Sequence, residues 1–138
     1  MTRVREIMTT NPLYAETSET VTHAARTMAD KGVGALPIRG EDHKLKGMLT
    51  DRDIVVKVLA EGKDPVAVHV GELPRDEVVA VGPDDDVEEA LRLMSRHQVR
   101  RLPVVEHEEL VGMVAQADVA RELPDAEVGE TVEGISRD

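Results

Sequence analysis

VTHAARTMADKGVGALP (residues 21–37) and VEEALRLMSRHQVRRLP (residues 87–103) are two versions of one segment within a single chain of 138 residues. Laid in one register they agree at Val21/Val87, Ala24/Ala90, Arg26/Arg92, Met28/Met94, Val33/Val99, Leu36/Leu102 and Pro37/Pro103. After a one-residue deletion the match resumes, with LKGMLTDRD (residues 45–53) on LVGMVAQAD (residues 110–118), sharing Leu, Gly, Met and the final Asp. So many agreements in one register identify an internal repeat, and an internal repeat decides architecture before any motif does.

Each copy predicts the same elements. Val87, Ala90, Leu91 and Met94 follow i, i+3, i+4, i+7 spacing, and Val21, Ala24, Ala25 and Met28 repeat it, so each copy carries a helix with one apolar stripe. Thr20 and Asp86 stand at the N-cap positions, with Glu89 placed to close a capping box on Asp86. Extended segments at 13–16 and 78–81 precede these helices. Short apolar runs follow them as strands, at 35–38 and 45–49 in the first copy and 102–105 and 110–114 in the second. Polar loops at 39–44 and 106–109 make each pair a hairpin. A further helix closes each copy, at 51–60 and 116–122. The order strand, helix, strand, strand, helix gives an α/β (α+β) class of fold. One such unit buries little surface alone, so two units related by a pseudo-twofold axis, sharing a core, are expected. The repeats are drawn as 1–69, including a linker at 61–69, and 70–123, followed by an acidic tail at 124–138.

Composition narrows the function. The chain is 41% hydrophobic with Tyr14 as its one aromatic residue, so the core is aliphatic. It has no cysteine, which removes disulfides, thiolate metal sites and cysteine nucleophiles. No apolar run approaches the roughly 20 residues of a membrane span, and no charged-then-apolar leader is present, so a cytoplasmic protein is expected. The net charge of −11 argues against a nucleic-acid footprint. That charge is uneven: residues 1–69 hold 10 basic and 10 acidic side chains, residues 70–138 hold 7 and 18. Against the acidic second half, the adjacent Arg100 and Arg101 stand out.

Enzyme motifs are missing. The histidines (His23, His43, His69, His97 and His107) show no HxH, HExxH or i, i+4 pairing. Gly32-Val33-Gly34 follows a helix and precedes a strand, the reverse of a dinucleotide-binding turn. The three serines lie outside any nucleophile elbow, and Asp84, Asp85 and Asp86 suit the start of a helix without a metal. No catalytic residue, catalytic cofactor or metal site is expected.

VGALPI with VRRLPV, and GMLTDRD with GMVAQAD, resemble the paired repeats of CBS-domain proteins, also called Bateman modules, over about residues 4–123. The run GALPIRGEDHKLKGMLTDRDIVVKVLAEGKDP is further similar to stand-alone CBS proteins of the actinobacterial hypoxic-response type. The resemblance implies a regulatory homodimer that takes AMP, ADP or ATP, with possible further protein partners. It also implies the site. Gly47, Thr50 and Asp53 match the family's ligand signature, Asp53 serving the ribose hydroxyls and Thr50 the phosphate at a helix start. Val79, Ala80 and Val81 would line the base, while Arg100 and Arg101, before Leu102 and Pro103, would reach the phosphates. A weaker second cleft would combine Asp118 with Leu13, Tyr14, Ala15, Val33 and Ala35. It lacks a hydroxyl at Ala115 and lacks arginine at Gly34 and Ala35, and Tyr14 there would pack on a base or simply on its neighbours.

A second interpretation stands beside this one. Thr50-x-x-Asp53 is also a capping box, needing no ligand, and the two arginines would then pair with surface carboxylates. Asp118, kept without its capping hydroxyl, weighs towards a ligand role. The alternative is a ligand-free structural or interaction dimer with vestigial clefts.

Overall fold

The computed structural model describes residues 1–122; the acidic tail lies outside the described residues. It is a mixed α+β structure that divides into two compact units, one of residues 13–78 and one joining residues 1–12 to residues 79–122.

The 13–78 unit holds a three-stranded sheet in the order β2 (Ala15–Glu16), β3 (Ala35–Arg39), β4 (Leu45–Thr50), with β2 parallel and β4 antiparallel to β3. Helix α2 (Val21–Lys31) packs on it through its stripe, since Val21, Ala24 and Met28 are buried with Leu36, Ile38 and Leu49. Thr20 Oγ1 caps α2 by accepting from the His23 N–H at 3.1 Å, and the helix ends on Gly32 in the left-handed conformation, φ 65°. The helix expected at 51–60 has two parts: α3 (Asp51–Ile54) and a π-helical turn at Val55–Leu59. Ile54, Val55, Val56 and Val58 are all β-branched, which crowds an ordinary α turn and accords with the wider one. The segment expected as a linker is docked: the Val21 N–H donates to Val68 O and the Thr22 N–H to Pro65 O, at the start of α2.

The second unit repeats the plan. Its sheet runs β1 (Thr9–Thr10), β6 (Glu109–Ala115), β5 (Arg101–Glu106), wholly antiparallel. Helix α4 (Val87–His97) buries Val87, Ala90, Leu91 and Met94, the predicted stripe. Short helices α1 (Val4–Ile7) and α5 (Gln116–Ala120) complete it. Asp86 does cap α4, but through the Glu88 N–H at 3.0 Å. Glu89 does not close a capping box; it pairs with Arg92 one turn on, at 2.6 Å, where a full charge outcompetes a backbone amide. Of the extended segment at 78–81, Val81 alone pairs with a strand, forming a parallel bridge to Val104. The bulge at Ile38/Arg39 recurs at Val104/Val105, so even the irregularity repeats.

Packing and repeat differ in one respect. The leading segment of each copy, starting at Val4 or Val70, lies in the unit built on the body of the other copy. Val4 is fully buried with Val104 and Val114, and Val70 with Val21 and Ile38. The segment from Val70 forms a 3₁₀ turn (Val70–Glu72) and is held by the Gly71 N–H donating to Thr17 O.

Candidate functional site

In the 13–78 unit, β4 runs directly into α3 at Thr50. Its extended backbone (φ −111°, ψ 160°) turns the chain so that two hydrogen bonds form reciprocally: Asp53 N–H to Thr50 Oγ1 at 3.0 Å and Thr50 N–H to Asp53 Oδ2 at 2.9 Å. The capping box expected from the sequence therefore forms. Asp53 Oδ1 faces Lys57 Nζ at 3.2 Å, and the same ammonium donates to Pro74 O at 2.9 Å. Burial favours the neutral acid at Asp53, but hydrogen bonds from Thr50 and the Lys57 charge outweigh it, holding the pKa below the ordinary aspartate value. A Cβ at Gly47 would stand 2.9 Å from the Arg75 Cδ, so a side chain there would require the arginine stem to shift. Sequence reasoning missed Lys57 and Arg75. The i, i+4 spacing from Asp53 was a signal for the lysine; nothing in the pattern marks the arginine.

The same unit holds Leu13, Tyr14, Ala15, Val33 and Ala35. Tyr14 does not present a free ring: the Arg39 guanidinium carbon lies 3.9 Å from its centroid, and Arg39 Nη2 donates to the Tyr14 hydroxyl at 2.6 Å. Ala15 is fully buried in β2, whereas Leu13 is exposed. Beside them a hollow of about 560 Å³ opens, lined by Ala25, Met28, Ala29, Val33, Gly34 and Ile54 among others. Its rim continues into an apolar ridge of exposed Val55, Val56 and Leu59.

In the other unit, Arg100 and Arg101 are exposed at the start of β5, and among the described residues neither guanidinium has a hydrogen bond or ion pair. Val79 and Ala80 make no backbone hydrogen bond among the described residues, whereas Val81 is used on both sides, donating to Pro103 O at 3.1 Å and accepting from the Val105 N–H at 2.8 Å. Asp118 repeats half of the cap: Oδ2 accepts from the Ala115 N–H at 2.9 Å. Its persistence beside Ala115 therefore has a structural cause, and the weight first placed on it as a ligand residue is removed. Its other oxygen meets Arg121 Nη2 at 2.6 Å, on a side chain 73% exposed. Gly112, like Gly47, is under a leading segment, with Met8 Sδ 2.8 Å and Thr9 O 2.9 Å from a would-be Cβ.

The histidines converge with acids only in pairs among the described residues, His23 with Glu19 at 3.3 Å and His69 with Glu72 at 3.1 Å. No described helix is long and apolar enough to cross a membrane.

A family model for the CBS domain matches residues 4–60 and again 70–125. The chain belongs to the CBS-domain family. Hypoxic response protein 1 of Mycobacterium tuberculosis is 46% identical over 135 residues, covering 98% of this chain and 94% of that one. A crystal structure of Hypoxic Response Protein I with two coordinated zinc ions matches with a TM-score of 0.80 and 48% identity, over 89% of this chain and all of that one. CBSX2 in complex with AMP matches at TM-score 0.75 and 26% identity, over 88% and 96% of the two chains. The CBS domain pair of MJ0100, with 5′-methylthioadenosine and S-adenosyl-L-methionine, matches at 0.70 and 28%, over 88% and 95%.

Proposed function

We propose that this chain is a non-catalytic regulatory module of the cytoplasm that binds an adenine nucleotide, AMP, ADP or ATP. Asp53 accepts the ribose hydroxyls, and Thr50 at the start of α3 takes part in holding phosphate. Val79, Ala80 and Val81 line the base, and Arg100 and Arg101 neutralise the phosphates. The observation that carries this reading is the pair of exposed arginines in the acidic half of the chain, without a side-chain partner among the described residues, in the same unit as Val79 and Ala80, whose backbone groups bond to no described residue. Permanently charged, bidentate donors left open suit a phosphate better than they suit solvent alone. The adenosine-containing ligands of CBSX2 and MJ0100 support the class of ligand. Histidines that meet acids only in pairs among the described residues give zinc less support than the arginines give phosphate.

The second reading, a ligand-free dimer, has its own observation. Asp53 and Asp118 both already hold helix caps, and the Val55, Val56 and Leu59 ridge stands next to an apolar hollow. Exposed apolar side chains beside an apolar hollow suit a protein contact, and a twofold contact would use this one patch on both copies, so we place a homodimer contact there; Leu59→Glu should yield monomer in sedimentation velocity. A thermal-shift panel of AMP, ADP, ATP, NAD and S-adenosylmethionine separates the readings. A rise in Tm with at least one adenine nucleotide supports the first, and none at millimolar concentration leaves only the second.

A further inference from the structure

We propose that Lys57 is the positioning residue that makes Asp53, and not its repeat counterpart Asp118, a reader of the ribose cis-diol, so that the ligand is a ribonucleotide with free 2′ and 3′ hydroxyls. The inference rests on the nucleotide reading above.

A carboxylate that receives two diol protons must hold its plane fixed and stay charged, with a lone pair free on each oxygen. Asp53 meets that demand. Oδ2 is pinned by the Thr50 N–H and Oδ1 by Lys57 Nζ, and each oxygen retains a second lone pair. The lysine is itself pinned, because its ammonium also donates to Pro74 O at 2.9 Å on the leading segment of the other repeat. Both side chains are mostly withdrawn from water, at 21% and 24% exposure, where a charged pair is screened less than at the surface. Fixing the acceptor before the ligand arrives removes an ordering cost from binding.

Asp118 has the first restraint and lacks the second. Its partner Arg121 comes from i+3, is 73% exposed, and has no other anchor among the described residues. The position matching Lys57 is Glu122, a like charge. A solvated arginine just past the end of a short helix does little to fix a rotamer. The repeats thus share the aspartate and differ in what aims it.

The test is titration calorimetry of AMP and 2′-deoxyAMP into the full chain, as wild type, Lys57→Met and Lys57→Arg. Wild type should prefer AMP about tenfold, the loss expected for one hydrogen bond to a charged group. Lys57→Met should shrink that ratio to about twofold, by weakening AMP while 2′-deoxyAMP changes little, and Lys57→Arg should restore part of it. Lys57→Gln, which keeps a donor for Pro74 O, replaces the Met variant if that one melts. A lysine that merely holds the fold would weaken both nucleotides equally; an unchanged ratio therefore overturns the proposal and leaves the nucleotide reading standing. A wild type indifferent to the 2′ hydroxyl overturns it also. No binding of either nucleotide to wild type at millimolar concentration sinks the nucleotide reading itself, and this inference with it.

Discussion

Thr50–Asp53 and Ala115–Asp118 occupy the same place in two copies of one fold, yet they solve the turn from strand to helix differently. In both, the aspartate accepts the N–H of the residue three before it. Only the first adds the hydroxyl bond and the half-buried lysine. The comparison teaches that keeping an aspartate at this position has a purely structural explanation, since Asp118 does that work without Thr or Lys. The proposed ligand role of the first copy rests instead on the extra bonds around its carboxylate. The arginines proposed for phosphate show the same asymmetry in the other direction: Arg100 and Arg101 stand where the first copy has Gly34 and Ala35.

Four substitutions sharpen the contrast, taken in pairs from the larger effect down. Gly112→Ala should destabilise by about 2 kcal/mol, because the new methyl meets the backbone oxygen of Thr9, which cannot move freely. Gly47→Ala should cost less than about 1 kcal/mol, since the obstacle there is the stem of Arg75, a flexible side chain. Urea melts of the two variants measure the gap, and equal losses would mean that the two leading segments are held alike. Next, Thr50→Ala removes a cap hydroxyl and should cost about 1 kcal/mol, while Ala115→Thr supplies one and should stabilise by about 0.5 kcal/mol. If Ala115→Thr destabilises, the second turn is not simply an incomplete copy of the first.

The smallest effect is in pH. Asp53 is half-buried, which alone would raise its pKa, but its bonds to Thr50 and Lys57 leave it lowered. A lowered folded pKa means the charged form contributes stability fully above the unfolded value of about 3.9, and that contribution fades as pH falls through the folded value. Wild type should therefore exceed Asp53→Asn in thermal stability at neutral pH, with the difference closing below about pH 3.9. A gap that persists unchanged into that range would remove the charge from the explanation.

Much of the fold was legible because its signals are local. The stripe Val87, Ala90, Leu91 and Met94 is buried as its spacing requires, and the two hairpins fall where the apolar runs stop. Ala25 departs from the first stripe and lines the hollow instead. The placement of the leading segments was not legible: Val4 finds Val104, and Val70 finds Ile38, through contacts far apart in sequence that no periodicity encodes. The candidate residues divide in the same way. Thr50 and Asp53 follow from a spacing rule. The hold of Lys57 on Pro74 O, the Arg39 cover on Tyr14 and the occupied backbone of Val81 depend on tertiary approach. The π turn after Ile54 also escaped, since β-branched residues weaken an α-helix without announcing what replaces it.

The central claim is that an adenine nucleotide uses the first aspartate and not the second. Titration calorimetry of AMP against Asp53→Ala and Asp118→Ala tests it directly, and the variants control for each other because each loses the same capping bond. The account predicts that Asp53→Ala weakens AMP by at least about tenfold, the worth of hydrogen bonds to a charged acceptor, while Asp118→Ala stays within about twofold of wild type. Loss of binding in Asp118→Ala with retention in Asp53→Ala would contradict it.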